Sequence, residues 1–341
     1  MRQLIFIAPG NFEWREVPTP CVENRRHAIV RPLAAVRCDL DFYIATGFVP
    51  LGGPFAFGHE SVGEVVDAGD AAGFRPGDRV VVPFQISCGQ CANCKRGLTN
   101  SCATVPPYSA YGLASNGRQD FGGALSELML VPYADHMLVP LPAGMDPVIA
   151  AGAGDNIADG WRGVASHLNE RPGASVLIVG GLAQSVGIYA AGAAVALGAS
   201  KVLYLDDNEA NRKIAETMGA DTAPLALDEG RDPDDQFDIV VEAAGTAQAL
   251  AFSVHSTAAN GCLTGVAMHF DAATPLPLAQ AYYKGLTFHT GRVQSRPLLP
   301  EILNCIGCGK LHPEHAIHRT VTFDDAAEAM IDPGPKLAFI R

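Results

Sequence analysis

The sequence predicts an α/β protein of two domains, a β-rich one followed by a doubly wound parallel sheet. Three observations carry that prediction. The chain has 341 residues, enough for about two domains that each bury a core. Up to about residue 155, short β-branched runs are cut repeatedly by Gly and Pro. From Ala174 onward, continuous apolar strands alternate with helices, the pattern of strands covered on both faces.

In the first part, His27–Arg31 and Arg79–Val82 read as strands, with turns at Pro18, Pro20, Gly47, Gly52-Gly53-Pro54, Gly73 and Pro76-Gly77. Many short strands with turn signals suit a compact barrel or sandwich. In the second part, Ser175–Val179 is an apolar strand and Val186–Leu197 an apolar helix. Lys201–Leu205 is a strand, Glu209–Met218 a more polar helix, and Phe237–Val241, Cys262–Val266 and Leu286–His289 are further strands. The tail from about Arg292 holds helices near Leu298–Cys308 and Asp324–Met330 and a strand at Lys336–Ile340, and is expected to return to the first domain. The expected domains are 1–155 with 293–341, and 156–292.

Composition narrows the function classes. Apolar residues at 48% and charged residues at 18% fit a globular chain and exclude wholesale disorder. Thirty-six acidic residues against 24 basic give −12, without a Lys/Arg cluster, which argues against nucleic acid or an anionic membrane as partner. The apolar start, Met1 to Ile7, is interrupted by Pro9-Gly10 and is too short for a secretory signal core, so a cytoplasmic location is expected. The most apolar window, Val176 to Ser200, is broken at Gly180-Gly181 and reads as strand plus helix, not as a membrane span.

Nine cysteines without a secretory signal point to metal before disulfides. Cys88, Cys91, Cys94 and Cys102 form C-x2-C-x2-C-x7-C, a set that closes a tetrahedral structural zinc site and pins a loop. An iron–sulfur cluster uses the same ligands, and spacing alone leaves it open. Four unliganded thiols among Gln90, Asn93, Lys95 and Arg96 would be an oxidation liability.

Gly58-His59-Glu60-Ser61-Val62-Gly63 sets an imidazole beside a carboxylate, with Cys38 upstream. Cys38 and His59 are candidate ligands of a second, open zinc site, which needs three protein ligands and a free position. The third is expected from the segment joining the domains, where Asp155 in Gly152-Ala153-Gly154-Asp155-Asn156 is the best candidate. The plain alternatives are a small buried hydrophobe for Cys38 and a satisfied core imidazole for His59.

Gly181-Leu182-Ala183-Gln184-Ser185-Val186-Gly187 lies between a strand and an apolar helix, where glycines allow a tight turn and a pyrophosphate approaches the helix N-terminus. Asp206 ends the next strand, placed to bond the ribose hydroxyls of NAD and repel a 2′-phosphate. Its alternative is an ordinary helix cap within Asp206-Asp207-Asn208. Cys262, Cys305 and Cys308 read as buried thiols, and His312, His315 and His318 as surface loop residues.

The run Gly58-His59-Glu60-x2-Gly63-x5-Gly69-x2-Ala72 resembles the zinc signature of the medium-chain dehydrogenase/reductase family, the zinc alcohol dehydrogenases. Cys38, the cysteine quartet and the later nucleotide-binding sheet fall where that family has them. Val82-Pro83-Phe84-Gln85-Ile86-Ser87-Cys88-Gly89 and Val131-Pro132-Tyr133-Ala134-Asp135 look most like its glutathione-independent formaldehyde dehydrogenase and dismutase branch. The resemblance implies a GroES-like β-barrel catalytic domain and a Rossmann coenzyme domain. It implies Cys38, His59 and Asp155 as ligands of a catalytic zinc, a Lewis acid toward an alcohol or aldehyde oxygen, with Glu60 behind the metal as a transient ligand. Asp41 would accept the free imidazole N–H of His59. Gly63 would help the signature turn close. Gly181, Ser185, Val186, Gly187 and Asp206 would hold NAD(H), although Gln184 stands where relatives have the middle glycine. Two zincs per chain and a dimer or tetramer follow from the same resemblance.

One departure stands out. The family has Ser or Thr two residues after the first cysteine to pass on the alcohol proton, and Leu40 cannot. Asp39, Tyr43, Asn156 or water would have to replace it. The alternatives to an alcohol dehydrogenase are an aldehyde dismutase that keeps its NAD, a C=N reductase, and a non-catalytic member. Phe48, Phe57, Tyr108 or Tyr111, and Trp161 are expected at the substrate pocket.

Overall fold

The computed structural model describes residues 1–114, 119–227 and 236–341. They form two compact units. One comprises Met1–Ala158, Gln294–Gly307 and Ile317–Arg341; the other comprises Asp159–Val293 and Cys308–Ala316.

The first unit is built on a seven-stranded sheet. Its path runs Ile317–Thr322, Lys336–Ile340, Ala28–Val36, Glu60–Ala68, Arg79–Val82 and Val139–Pro140, and Met129–Val131 also pairs with Ala28–Val36. All pairings are antiparallel except that of Ile317–Thr322 with Lys336–Ile340. A smaller sheet, Asn11–Glu16, Arg2–Ala8 and Phe55–Ala56, completes the β-rich unit. Phe6, Phe12, Phe55 and Phe57 pack ring to ring at 5.0–6.0 Å inside it. Phe57 therefore belongs to the core rather than to a pocket wall. So does Tyr111, buried with its hydroxyl donated to the Leu130 carbonyl at 3.0 Å.

Register in this sheet places the chemistry. Val36 pairs with Glu60 on one side and with Ala338 on the other. Three strand ends therefore deliver Arg37-Cys38, His59-Glu60 and Lys336 to one place. Gly63 corrects the expectation from sequence: it lies inside the strand Glu60–Ala68, not in a turn. A Cβ there would sit 2.4 Å from Val30 Cγ1 and 2.7 Å from the Arg31 carbonyl, at a register shift between Pro32 and Ala34. The glycine of this run with a left-handed backbone is Gly58, whose φ of +83° suits glycine.

The second unit holds a six-stranded, all-parallel sheet ordered Asp221–Ala223, Lys201–Leu205, Ser175–Val179, Phe237–Glu242, Thr257–Gly265 and Thr287–Thr290. The first strand in sequence that opens the nucleotide turn sits in the middle and the order reverses beside it, the Rossmann arrangement. Val176–Val179 are fully buried because helices cover both faces, which explains why the strand carries no polar alternation. The helix Gln184–Ala196 is buried along nearly its whole length. The strand at Cys262 begins earlier than its apolar run suggests, at Thr257. Of the tail cysteines, Cys305 is buried but Cys308 is exposed, just past the helix Ser295–Gly307. Among the described residues no helix is long and apolar enough to cross a membrane.

Candidate active site

Cys38 ends the run after Ala28–Val36 and immediately precedes the helix Asp39–Ala45. Its backbone N–H donates to Asp41 Oδ2 at 3.2 Å, so the third helical residue folds back on the first turn, as capping residues do. The other oxygen of Asp41 lies 3.4 Å from His59 Nδ1. Neither atom has a hydrogen-bond partner among the described residues. One carboxylate thus braces Cys38 and faces the imidazole.

The remaining imidazole nitrogen, Nε2, lies 3.2 Å from Asp155 Oδ2. One ligand atom each of Cys38, His59 and Asp155 falls within 4.8 Å of the others, and all three residues are buried. The three candidates from sequence are brought together. Leu40 is half-buried and packs against the apolar core of its unit, so that turn of helix presents no hydroxyl.

Two residues outside the sequence-based ligand set prove central. Asn156 donates its amide to Cys38 Sγ and to Asp155 Oδ2, both at 3.1 Å, and its backbone N–H to Glu60 Oε1 at 2.8 Å. Its side-chain oxygen accepts from the Asp39 N–H at 3.3 Å and from Lys336 Nζ at 2.6 Å. Lys336, 1% exposed, also donates to the Arg37 carbonyl at 2.9 Å and to Glu60 Oε2. Arg37 secures the approach to Lys336: its buried guanidinium bonds the carbonyls of Met330, Asp332 and Gly334 at 2.6–2.9 Å.

The charges of this cluster are unbalanced toward acid. Burial pushes the Cys38 thiol well up, and Asp155 adds to that. Burial also raises Asp41, and lifts the Glu60 carboxyl to about 7 although Lys336 draws it down. Burial works to lower His59, yet Asp41 and Asp155 outweigh it and lift the imidazole to about 9. Three carboxyls and a thiol facing one lysine pull positive charge into the site. A thiolate, imidazole and carboxylate donor set suits zinc, which would deprotonate the thiol outright.

In the lobe of the four cysteines, ligand atoms of Cys88, Cys91, Cys94 and Cys102 lie within 4.8 Å of one another, and no disulfide forms. Backbone N–H groups converge on the sulfurs: Gln90 and Cys91 on Cys88 at 3.4 and 3.3 Å, Cys94 and Ala103 on Cys91 at 3.5 and 3.4 Å, Cys88 and Thr104 on Cys102 at 3.4 and 3.5 Å. Donors aimed at sulfur favour thiolates. The N–H of Cys94 first, then that of Ala103, brings Cys91 down to about 6, while burial pushes Cys94 up to about 12. Four sulfurs held this way fit a closed tetrahedral ion.

In the second unit, the strand Ser175–Val179 leads through Gly180 and Gly181 to the helix Gln184–Ala196. A Cβ on Gly181, whose φ is +154°, would lie 2.7 Å from Ala244 Cα. One on Gly180 would lie 2.6 Å from both Asp206 Oδ2 and the Tyr204 hydroxyl. Ser185 and Val186 are buried in the first helical turn. Gly187 lies one turn in, where a Cβ would meet Ala243 at 3.3 Å. Asp206 is buried; Oδ2 accepts from the Tyr204 hydroxyl at 2.6 Å and Asn211 at 3.1 Å, and Oδ1 from the Asn208 N–H at 2.8 Å. The helix cap is Asn208, which accepts from the Ala210 N–H at 2.9 Å. Asp206 is therefore not needed as a cap.

Comparison with known proteins agrees with both units. Residues 24–143 match the alcohol dehydrogenase GroES-like domain and residues 185–306 the zinc-binding dehydrogenase domain. The D-altritol 5-dehydrogenase of Agrobacterium fabrum is 30% identical over 81% of this chain and 77% of its own. The glutathione-independent formaldehyde dehydrogenase of Pseudomonas aeruginosa is 32% identical over 67% of this chain, which spans 59% of that relative. The solved alcohol dehydrogenase of Thermus sp. ATN1 superposes with a TM-score of 0.89 at 29% identity, covering 100% of this chain and 99% of that one. The chain is an oxidoreductase and belongs to the medium-chain family of zinc-binding alcohol dehydrogenases.

Proposed function

We propose that this protein exchanges hydride between the carbon of a small alcohol, or its aldehyde or ketone, and NAD(H). Cys38, His59 and Asp155 would hold a catalytic zinc, and Cys88, Cys91, Cys94 and Cys102 a structural one. The observation that carries the reading is the convergence of three buried donors of different types, from three distant stretches, within 4.8 Å. Zinc there supplies a Lewis acid that lowers an alcohol pKa, and NAD⁺ a hydride acceptor.

The residues around the site divide the remaining work. Asp41 Oδ1 lies 3.4 Å from His59 Nδ1, where its charge would favour the proton on that nitrogen and leave Nε2 as the donor atom. Asn156 orients Cys38 Sγ and Asp155 Oδ2 with one amide. Lys336 and the Asn156 N–H hold the two oxygens of Glu60, so Glu60 serves as a transient ligand only by giving up Lys336. With Leu40 in place of a hydroxyl, the alcohol proton leaves by a group other than that side chain. On the coenzyme side, Asp206 favours NAD: a 2′-phosphate would meet a buried carboxylate, and the nearby Arg212 Nη1 is occupied by the carbonyls of Asp206 and Asp207 at 2.6 and 3.1 Å.

A dismutase that retains its NAD is the second reading, favoured by 33% identity over 66% of this chain with the formaldehyde dismutase of Pseudomonas putida, of which the chain spans 58%. We further propose a cytoplasmic homo-oligomer acting on small molecules. A panel of alcohols and aldehydes, with NAD and NADP, tests the reading on protein carrying two zincs per chain. Reduced coenzyme should form with at least one alcohol, more readily from NAD. Disproportionation of an aldehyde without added NAD would instead identify the dismutase. No hydride exchange with either coenzyme would overturn both.

A further inference from the structure

The sheet of the second unit carries a cluster that the dehydrogenase chemistry does not use. Cys262 and Thr264 lie two residues apart on the strand Thr257–Gly265 and so face the same way. Thr264 is the register partner of His289 on the neighbouring parallel strand Thr287–Thr290. His167, from the helix Ala165–Glu170, lies over that face, with Nε2 3.3 Å from Cys262 Sγ and 3.4 Å from Thr264 Oγ1. Its ring centroid is 5.3 Å from that of His289. One donor atom each of His167, Cys262 and His289 lies within 4.8 Å of the others. Cys262 is buried, His167 half-buried and His289 exposed, so the trio has a closed side and an open one.

This geometry is more than a buried thiol needs. A hydrogen-bonded pair of Cys262 and His167 is complete with one imidazole, yet a second stands beside it on a separate strand. Zinc with sulfur at about 2.3 Å and nitrogen at about 2.0 Å in a tetrahedron keeps those donors about 3.5 Å apart, close to the spacing observed between Cys262 and His167. Glu170 and Arg171 flank the trio with opposite charges, so neither sign dominates. One sulfur and two imidazole nitrogens select a zinc-class ion over magnesium or calcium.

We propose that His167, Cys262 and His289 form a third metal site, which binds zinc with three protein ligands and leaves one position to solvent. The ion ties the helix Ala165–Glu170 to two strands of the sheet. The exposure of His289 makes this site weaker than the two proposed above, so it fills only as free zinc rises.

The test is zinc uptake by the full-length protein already loaded with two zincs, equilibrated against buffers of increasing free zinc and counted by mass spectrometry. Wild type should gain one further zinc per chain. His289→Ala, a change at an exposed position, should weaken that uptake about 100-fold or more, since losing even an outer partner of a metal ligand costs 10–100-fold. His289→Cys should restore it. Zinc should raise the melting temperature of wild type and not that of His289→Ala. The stacked, exposed pair His312 and His315 supplies the control. Equal uptake by wild type and His289→Ala, or uptake lost in His312→Ala instead, overturns the proposal. Cys38→Ser separates the questions: it should lose the catalytic zinc and still take up this one.

Discussion

Replacing Lys336 by Met tests how the candidate site is held together. Lys336 is buried, and its ammonium reaches Glu60 Oε2, Asn156 Oδ1 and the Arg37 carbonyl. Met fills much of the same volume but donates to none of them. Glu60, 0% exposed, then keeps only the Asn156 N–H. Breaking a buried ion pair by removing one partner costs about 3–5 kcal/mol, because the carboxyl left behind must either stay charged without its cation or take up a proton. For a unit of this size that corresponds to a fall in melting temperature on the order of 10 °C. The double variant Glu60→Gln/Lys336→Met removes the orphaned carboxyl and should recover about 2 kcal/mol relative to additivity. Urea and thermal melts of the zinc-loaded protein measure both effects, with zinc content followed in parallel. If Lys336→Met melts within about 1 kcal/mol of wild type, or if the two changes simply add, the pair does not organise the site and the reasoning fails.

Other perturbations address the remaining parts. Cys91→Ser should lower zinc content by one atom per chain and destabilise the cysteine lobe while the Cys38 site stays loaded; unchanged zinc content would remove the quartet as a metal site. Asp206→Ala should lower kcat/KM with NAD by about 10–150-fold, the worth of a hydrogen bond to a charged group, and spare NADP; an equal loss with both coenzymes refutes the ribose assignment. Leu40→Ser should leave substrate binding nearly intact and change the pH profile of the rate, and an unaltered profile and rate would show that no proton passes that position. The Ser175 N–H holds Asp238 below the usual carboxylate range, and the Ser175 hydroxyl adds to this. The stabilisation is therefore present above the unfolded pKa, about 3.9, and is lost as pH falls through the lower folded value. Asp238→Asn should flatten that acid limb of the melting profile, and an unchanged limb would count against it.

What could be read in the sequence, and what could not, follows from the range of the interactions. The strands Ser175–Val179 and Lys201–Leu205 are found where their apolar runs place them, since local pattern determines a strand covered on both faces. The cysteine quartet is local too, its sulfurs held by N–H groups within a few residues or across one loop. Cys38, His59 and Asp155 were visible as chemistry because a signature motif flagged one of them. Asn156 was visible only as a possible proton carrier, for nothing in its neighbours shows that its amide spans 118 residues to reach Cys38. Lys336 was invisible: at the head of Lys336–Ile340 a lysine reads as a solvent-facing strand end. The register of Ala338 on Val36, and of Val36 on Glu60, turns that end inward and meets a carboxylate 276 residues earlier. Its burial is intelligible only with Glu60 in view, as the burial of the Glu60 carboxyl is intelligible only with a cation beside it. The same logic applies to Cys262. From sequence it is a small buried residue, and only the pairing of Thr264 with His289 shows that a second imidazole shares its face.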